Sequence, residues 1–142
     1  MPAVFFQNAD YKLALPNKRK LKLFIACLFL EYGIRLSSLA IIFCSDEYLL
    51  SLNRQFLQHD YYTDILTFDL SKDQDAVGEI YISVERVKEN AIQLKISFEQ
   101  EIHRIIFHGV LHLCGFSDKS LSQRKKMTEL ENIAIQNFLS FT

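Results

Sequence analysis

Two histidines, His108 and His112, stand four residues apart in an apolar run that includes Ile105, Ile106 and Phe107 before them and Leu111 and Leu113 around the second. An α-helix turns once in 3.6 residues, so both imidazoles leave one face of the same helix. Gly115 follows three residues after His112. A glycine there takes the left-handed backbone conformation that ends a helix and turns the chain back. Asp118, three residues further on, then swings over the two histidines. Burying two imidazoles without partners costs on the order of several kcal/mol, so the fold must satisfy them. Two arrangements do so. One is a structural polar network. The other is a metal site, in which two imidazoles and a carboxylate suit zinc, one ion per chain, with a fourth position left for water.

The spacing H-x-x-x-H-x-x-G-x-x-D is also that of zinc proteases whose ligand helix ends in a glycine turn. Their pattern puts Glu directly after the first His, as general base. Here that place is Gly109, which takes no proton. The difference argues against peptide hydrolysis, although a zinc metalloprotease-like hydrolase stays open as an alternative.

The rest of the chain reads as alternating elements. Val4-Phe5-Phe6 is a short strand. Pro16 and Asn17 open a helix to about Tyr32, with Leu21, Phe24, Ile25, Leu28 and Phe29 at helical spacing and Gly33 as its stop. Leu39 to Cys44 is a continuous apolar run, as expected of a central strand. Ser45 and Asp46 cap the next helix, with Tyr48, Leu49, Leu52 and Phe56 on its apolar face. After the polar loop His59–Asp64, Ile65–Phe68 and Val77–Ser83 form a hairpin of strands. A helix from Val84 to about Lys95 follows, then the histidine helix capped by Ser97. The last helix, from about Ser120 to Leu139, turns Leu121, Met127, Leu130, Ile133, Ala134 and Phe138 inward. This order predicts an α/β (α+β) fold: a four-stranded mixed sheet packed with about five helices, one of them a zincin-like metal helix.

With 142 residues the chain suits a single domain spanning 1–142. Net charge is −1, so any RNA-binding surface must be a local patch. Three cysteines without paired spacing fit a reducing cytosol. Cys27 and Cys44, in apolar runs, are expected in the core, and Cys114 as a packing residue. The N-terminus lacks the pattern of a signal peptide, and the longest apolar stretch, Leu23 to Leu30, is too short for a bilayer. A soluble cytoplasmic protein with no membrane partner is expected. Lys18, Arg19, Lys20 and Lys22 crowd the start of the first long helix, where basic charge opposes the macrodipole; the cluster is either a solvated face or an RNA-backbone contact.

The motifs together resemble those of the YbeY family, bacterial rRNA maturation factors described as zinc-dependent single-strand endoribonucleases. Ser45-Asp46, Leu52-Asn53-Arg54 and Thr63-Asp64-Ile65-Leu66-Thr67-Phe68 resemble its S-D, L-N and T-D-V-L-S-F segments. Gly78-Glu79-Ile80-Tyr81-Ile82 resembles its G-D-I-x-I, and His108 to Phe116 its H-G-x-L-H-L-x-G-Y. The chain departs from the family twice. Asp118 holds the place of a third histidine, and Leu57 that of an arginine implicated in activity. A carboxylate can replace an imidazole on zinc, so the resemblance carries the metal role to His108, His112 and Asp118.

The resemblance implies metal-assisted cleavage of RNA phosphodiester bonds, in late 16S rRNA 3′-end maturation and ribosome quality control, with rRNA and the small ribosomal subunit as partners. No small-molecule cofactor is expected. A non-catalytic ribosome-assembly factor with a structural zinc is the remaining alternative. Glu79, at the acidic position of its motif, is the first candidate to orient water or a histidine; the other reading is an edge-strand carboxylate. Arg54 and Arg104 are candidates to replace the missing arginine. Arg104, four residues before His108, either reaches the cleft or pairs with Glu101. Lys18, Arg19, Lys20, Lys119, Arg124 and Lys125 are candidate phosphate contacts. Tyr61, Tyr62 and Phe116 either stack on unpaired bases or pack in the core.

Overall fold

A computed structural model describes residues 3–142. The elements run β1 (Ala3–Asn8), α1 (Lys18–Glu31), β2 (Leu36–Cys44), α2 (Asp46–Leu57), β3 (Ile65–Asp69), β4 (Ala76–Ser83), α3 (Val84–Leu94), α4 (Phe98–Leu113) and α5 (Leu121–Leu139). Among the described residues this is the expected α/β order: one four-stranded mixed sheet and five helices. The strand order is β1-β2-β4-β3. β1, β2 and β4 run parallel, with Leu39 beside Val4 and Ile41 beside Ile80. Parallel neighbours need crossover connections, which α1 and the α2–β3 segment provide. β3 turns back on β4 as an antiparallel hairpin, Ile65 opposite Ile82 and Asp69 opposite Gly78, and forms one edge of the sheet.

Alternation along the strands divides the core in two. Leu39, Ile41 and Phe43 of β2 and Ile80 and Ile82 of β4 bury against one layer of helices. That layer includes Leu21, Ile25 and Phe29 of α1, Ile102, Ile106 and Phe107 of α4, and Phe138 of α5. The opposite face is smaller. There Cys44 and Leu66 pack on Leu49 of α2, with Phe68 and Tyr81 partly covered. Burying each large apolar side chain contributes about 1.5–3 kcal/mol, so the larger layer dominates the stability.

Several expectations shift. β2 begins at Leu36, three residues earlier than the apolar run suggested. On α2 the buried side chains are Leu49, Leu50 and Asn53, while Tyr48 and Phe56 stay exposed. On α5, Leu121 and Ile133 are exposed and Ile135 and Glu131 are buried instead. Cys44 is buried as expected, but Cys27 is exposed because it lies off the stripe Leu21, Phe24, Ile25, Leu28 and Phe29.

The C-terminal half of α4 lies unusually close to the sheet at two glycines. A Cβ on Gly109 would stand 2.9 Å from Ile80 Cδ1 and 3.0 Å from Ile65 Cδ1. A Cβ on Gly78 would stand 2.8 Å from Leu113 Cδ1. These contacts set α4 against β4 and β3, beside His108 and His112. Gly109→Ala gains about 1 kcal/mol of helix propensity and loses about 1–3 kcal/mol to overpacking. A net destabilisation of about 1 kcal/mol is expected, read as a lower midpoint in urea. A higher midpoint would show that the helix has room to move.

Candidate functional site

The site is built where α4 ends. Ser97 accepts the Gln100 N–H at the helix start. At the other end the Phe116 N–H reaches the Leu111 carbonyl at 3.1 Å and the Gly115 N–H reaches that of His112 at 3.0 Å. Gly115 has φ +101°, the left-handed conformation expected there. This pair of bonds is the Schellman closure, and its usual hydrophobic contact is present, since Phe116 packs with Leu111. The Phe116 ring also meets Tyr32, centroids 5.0 Å apart. From the far side, α5 opens with a capping box between Ser120 and Gln123. The Gln123 Oε1 accepts the N–H groups of Lys119 and Ser120 at 3.1 and 3.0 Å. The short connection carrying Asp118 is therefore pinned at both ends.

The result is convergence. His108 Nε2 and His112 Nε2 are 3.1 Å apart, and Asp118 Oδ2 is 3.3 Å from each. A tetrahedral ion with ligand bonds of about 2.0–2.1 Å separates its ligands by about 3.3 Å. The three atoms fit such an ion, and their chemistry, two nitrogens and one carboxylate oxygen, suits zinc. They line a cleft of about 530 Å³ that runs along β3 past Thr63, Ile65 and Thr67.

Behind the histidines lies a buried charge network. Glu131 of α5 is almost fully buried, and its Oε2 is 2.5 Å from His108 Nδ1. This bond turns His108 Nε2 toward His112 and Asp118. Burial pushes the His108 pKa down, but the Glu131 hydrogen bond and charge outweigh it and hold the value above the ordinary one. Arg104 donates to both Glu101 oxygens, at 2.7 and 2.5 Å, and to Glu131 Oε1 at 3.1 Å. Its pKa is raised, first by the Glu101 hydrogen bonds.

The other candidates fall in several places. Arg104 forms the ion pair with Glu101 rather than reaching out to a phosphate, because Glu101 sits one helical turn back and Glu131 faces it from α5. Glu79 does not meet the histidines. Gly78 and Ile80 point toward α4, so strand alternation turns Glu79 to the α2 face, where its Oε1 accepts Tyr81 OH at 3.1 Å. Arg54 pairs with Asp60 on the loop after α2. Lys18, Arg19 and Lys20 stand at the opposite end of α1 from Tyr32, about 20 Å along the helix. Lys20 Nζ lies over the Phe138 ring instead. Lys119 is exposed beside Asp118, and Lys125 is exposed on α5. Arg124 donates to the Lys119 carbonyl at 3.0 Å and borders a small recess with His108 and Asp118. The Cys114 thiol packs on the core, and burial pushes its pKa up to about 12.

Two carboxylates escaped the sequence reading. Glu131 is buried beside Leu130 and Ala134 on α5, whose weak apolar pattern left no clear signal of which face turns inward. Asp64 lines the cleft, where Asn90 Nδ2 holds its Oδ2 at 3.0 Å.

Comparison with known proteins agrees with this layout. A profile described as endoribonuclease YbeY matches residues 7–139. An endoribonuclease YbeY of Bacteroides thetaiotaomicron is 44% identical over 133 residues, covering 94% of this chain and 97% of the relative. That of Parabacteroides distasonis is 41% identical over 133 residues, covering 94% of each chain. The solution structure of TM1509 from Thermotoga maritima superposes with a TM-score of 0.63 at 27% identity, over 96% of this chain and 89% of the other.

Proposed function

This chain belongs to the YbeY endoribonuclease family, and from that footing we propose that it is a zinc-dependent endoribonuclease that cuts single-stranded RNA within one domain. The carrying observation is the nest of His108 Nε2, His112 Nε2 and Asp118 Oδ2, open to the cleft beside β3. A zinc ion held by His108, His112 and Asp118 would supply positive charge to a phosphoryl oxygen and would lower the pKa of a bound water. The protein's part is positioning. Glu131 holds the His108 ring and, with Glu101, anchors Arg104; the two capped ends fix Asp118. RNA carries a further reactive group of its own, the 2′-OH next to the scissile phosphate, which DNA lacks. The biological substrate in this reading is the 3′ end of 16S rRNA on the small ribosomal subunit, in the cytoplasm. Among the described residues, no helix is long and apolar enough to cross a membrane.

Gly109 argues against peptide as substrate. The zinc protease's glutamate would have to stand where the helix touches Ile80 and Ile65. The test offers the zinc-loaded protein a labelled single-stranded RNA, its duplex, the matching DNA strand and an unstructured peptide. Internal cuts confined to the single-stranded RNA are expected. Cleavage of the peptide alone would select a protease-like hydrolase. Intact substrates together with stable binding to small subunits would select an assembly factor.

A further inference from the structure

Apart from the metal position, the cleft lining itself carries acidic rather than basic side chains. Asp64, Asp69 and Asp118 line it, and the basic groups nearest the histidines are Lys119, exposed next to Asp118, and Arg104 and Arg124, which border the small recess shared with His108 and Asp118, Arg104 being taken up by Glu101 and Glu131. The basic cluster of α1 stands about 20 Å along its helix from Tyr32, the end that packs on Phe116, and Arg54 is paired with Asp60. With a net charge of −1, no general field draws RNA in. Only a few phosphate contacts are available beside the histidines, so the strand needs a second kind of grip there.

Tyr61 stands on the lip of this cleft, 56% exposed. Its ring is stacked on His59, with centroids 5.1 Å apart and planes 20° apart, and its OH lies 3.0 Å from His59 Nδ1. The segment is held from below. Asn53, 1% exposed on α2, donates Nδ2 to the Tyr61 carbonyl at 2.9 Å. The Asn53 backbone carbonyl accepts the His59 N–H at 3.1 Å. The next residue, Tyr62, donates its OH to Glu47 at 2.5 Å and lies under Arg86. A large aromatic ring thus sits on a backbone held by buried Asn53, backed by His59 on one side and open to water on the lining of the same cleft. Such a ring is prepared to bind a flat apolar surface without first losing loop entropy.

We propose that Tyr61, backed by His59, is a base-stacking platform on which an unpaired nucleobase rests while its phosphate enters the cleft. The proposal rests on the endoribonuclease reading and names what that site grips. Every base has a π face, so the platform selects unpaired strands without selecting sequence. A base inside a duplex is already stacked and cannot offer that face. Because stacking carries more of the grip than the few ion pairs open to Lys119 and Arg124, binding depends weakly on salt. The slope of log K against log salt should correspond to about two phosphates or fewer, at roughly −0.7 per phosphate for a single strand.

The test measures binding of a single-stranded 2′-O-methyl octanucleotide carrying 2-aminopurine to the zinc-loaded protein, followed by quenching of the fluorescent base. The parent chain and Tyr61→Phe are expected to bind within about threefold of each other, with quenching and a shallow salt slope. Tyr61→Ala and Tyr61→Leu are expected to bind about 5- to 100-fold more weakly and to lose the quenching. Their melting points should stay near the parent's, because the ring is exposed. Unchanged affinity and quenching in Tyr61→Ala would overturn the platform while leaving the nuclease reading intact, as would a steep salt slope shared by all variants. Failure of the parent chain to bind the oligonucleotide would overturn both.

Discussion

Replacing His112 with alanine is expected to abolish RNA cleavage, by at least about 10³-fold, while leaving the fold in place. The side chain is about a quarter exposed and its Nε2 contacts only the cluster, 3.1 Å from His108 and 3.3 Å from Asp118. Little of the core depends on it. Two ligands spaced by a turn and a loop remain after the change, too few to hold zinc with an open position. Circular dichroism and urea unfolding check the fold, and cleavage of single-stranded RNA checks the chemistry. Retained cleavage with an intact fold would place the reaction elsewhere.

Replacing Glu131 is the second large effect, and it separates into two measurements. Glu131→Ala removes a buried carboxylate that holds both His108 Nδ1 and Arg104 Nη1. A buried donor and part of a buried charge lose their partner, so a destabilisation of about 2–4 kcal/mol is expected. Arg104 keeps Glu101, which limits the loss. Glu131→Gln keeps the volume and one acceptor, and should cost less stability. In both variants His108 is less firmly turned, so zinc affinity should fall about 10- to 100-fold. A chelator competition measures that affinity without any turnover. Ring-nitrogen NMR of the metal-free protein reads the His108 tautomer directly: the proton is expected on Nδ1 in the parent chain and shared between nitrogens in Glu131→Ala. An unchanged tautomer and affinity would reduce Glu131 to a structural ion pair.

These two predictions also mark what a sequence can and cannot disclose. His108, His112 and Gly115 were legible because helical spacing is local and a left-handed glycine has a specific backbone signature. Asp118 followed from them, and its convergence needed only a short loop capped at both ends. Ser45, Ser97 and Ser120 were readable as caps for the same local reason.

Glu131 and Glu79 depended on tertiary placement. Nothing near Glu131 in the chain announces a histidine 23 residues earlier, and α5 is amphipathic too weakly to fix its inward face from pattern alone. The apolar Leu121 and Ile133 therefore looked buried when they are not. Glu79 failed for a different reason. β4 is covered on both faces, by α4 and by α2, so alternation says that Glu79 and Ile80 oppose each other but not which one faces the histidines. Arg104 was readable only as a choice between two partners, which the approach of α5 resolves in favour of the carboxylates.

The most direct test is a zinc titration. The protein is stripped with chelator, zinc is returned in measured steps, and cleavage of a single-stranded RNA is followed beside metal content. The geometry of His108, His112 and Asp118 predicts that cleavage is absent without metal and saturates at one zinc per chain. Full cleavage by metal-free protein, or activity that rises without reference to bound zinc, would contradict it.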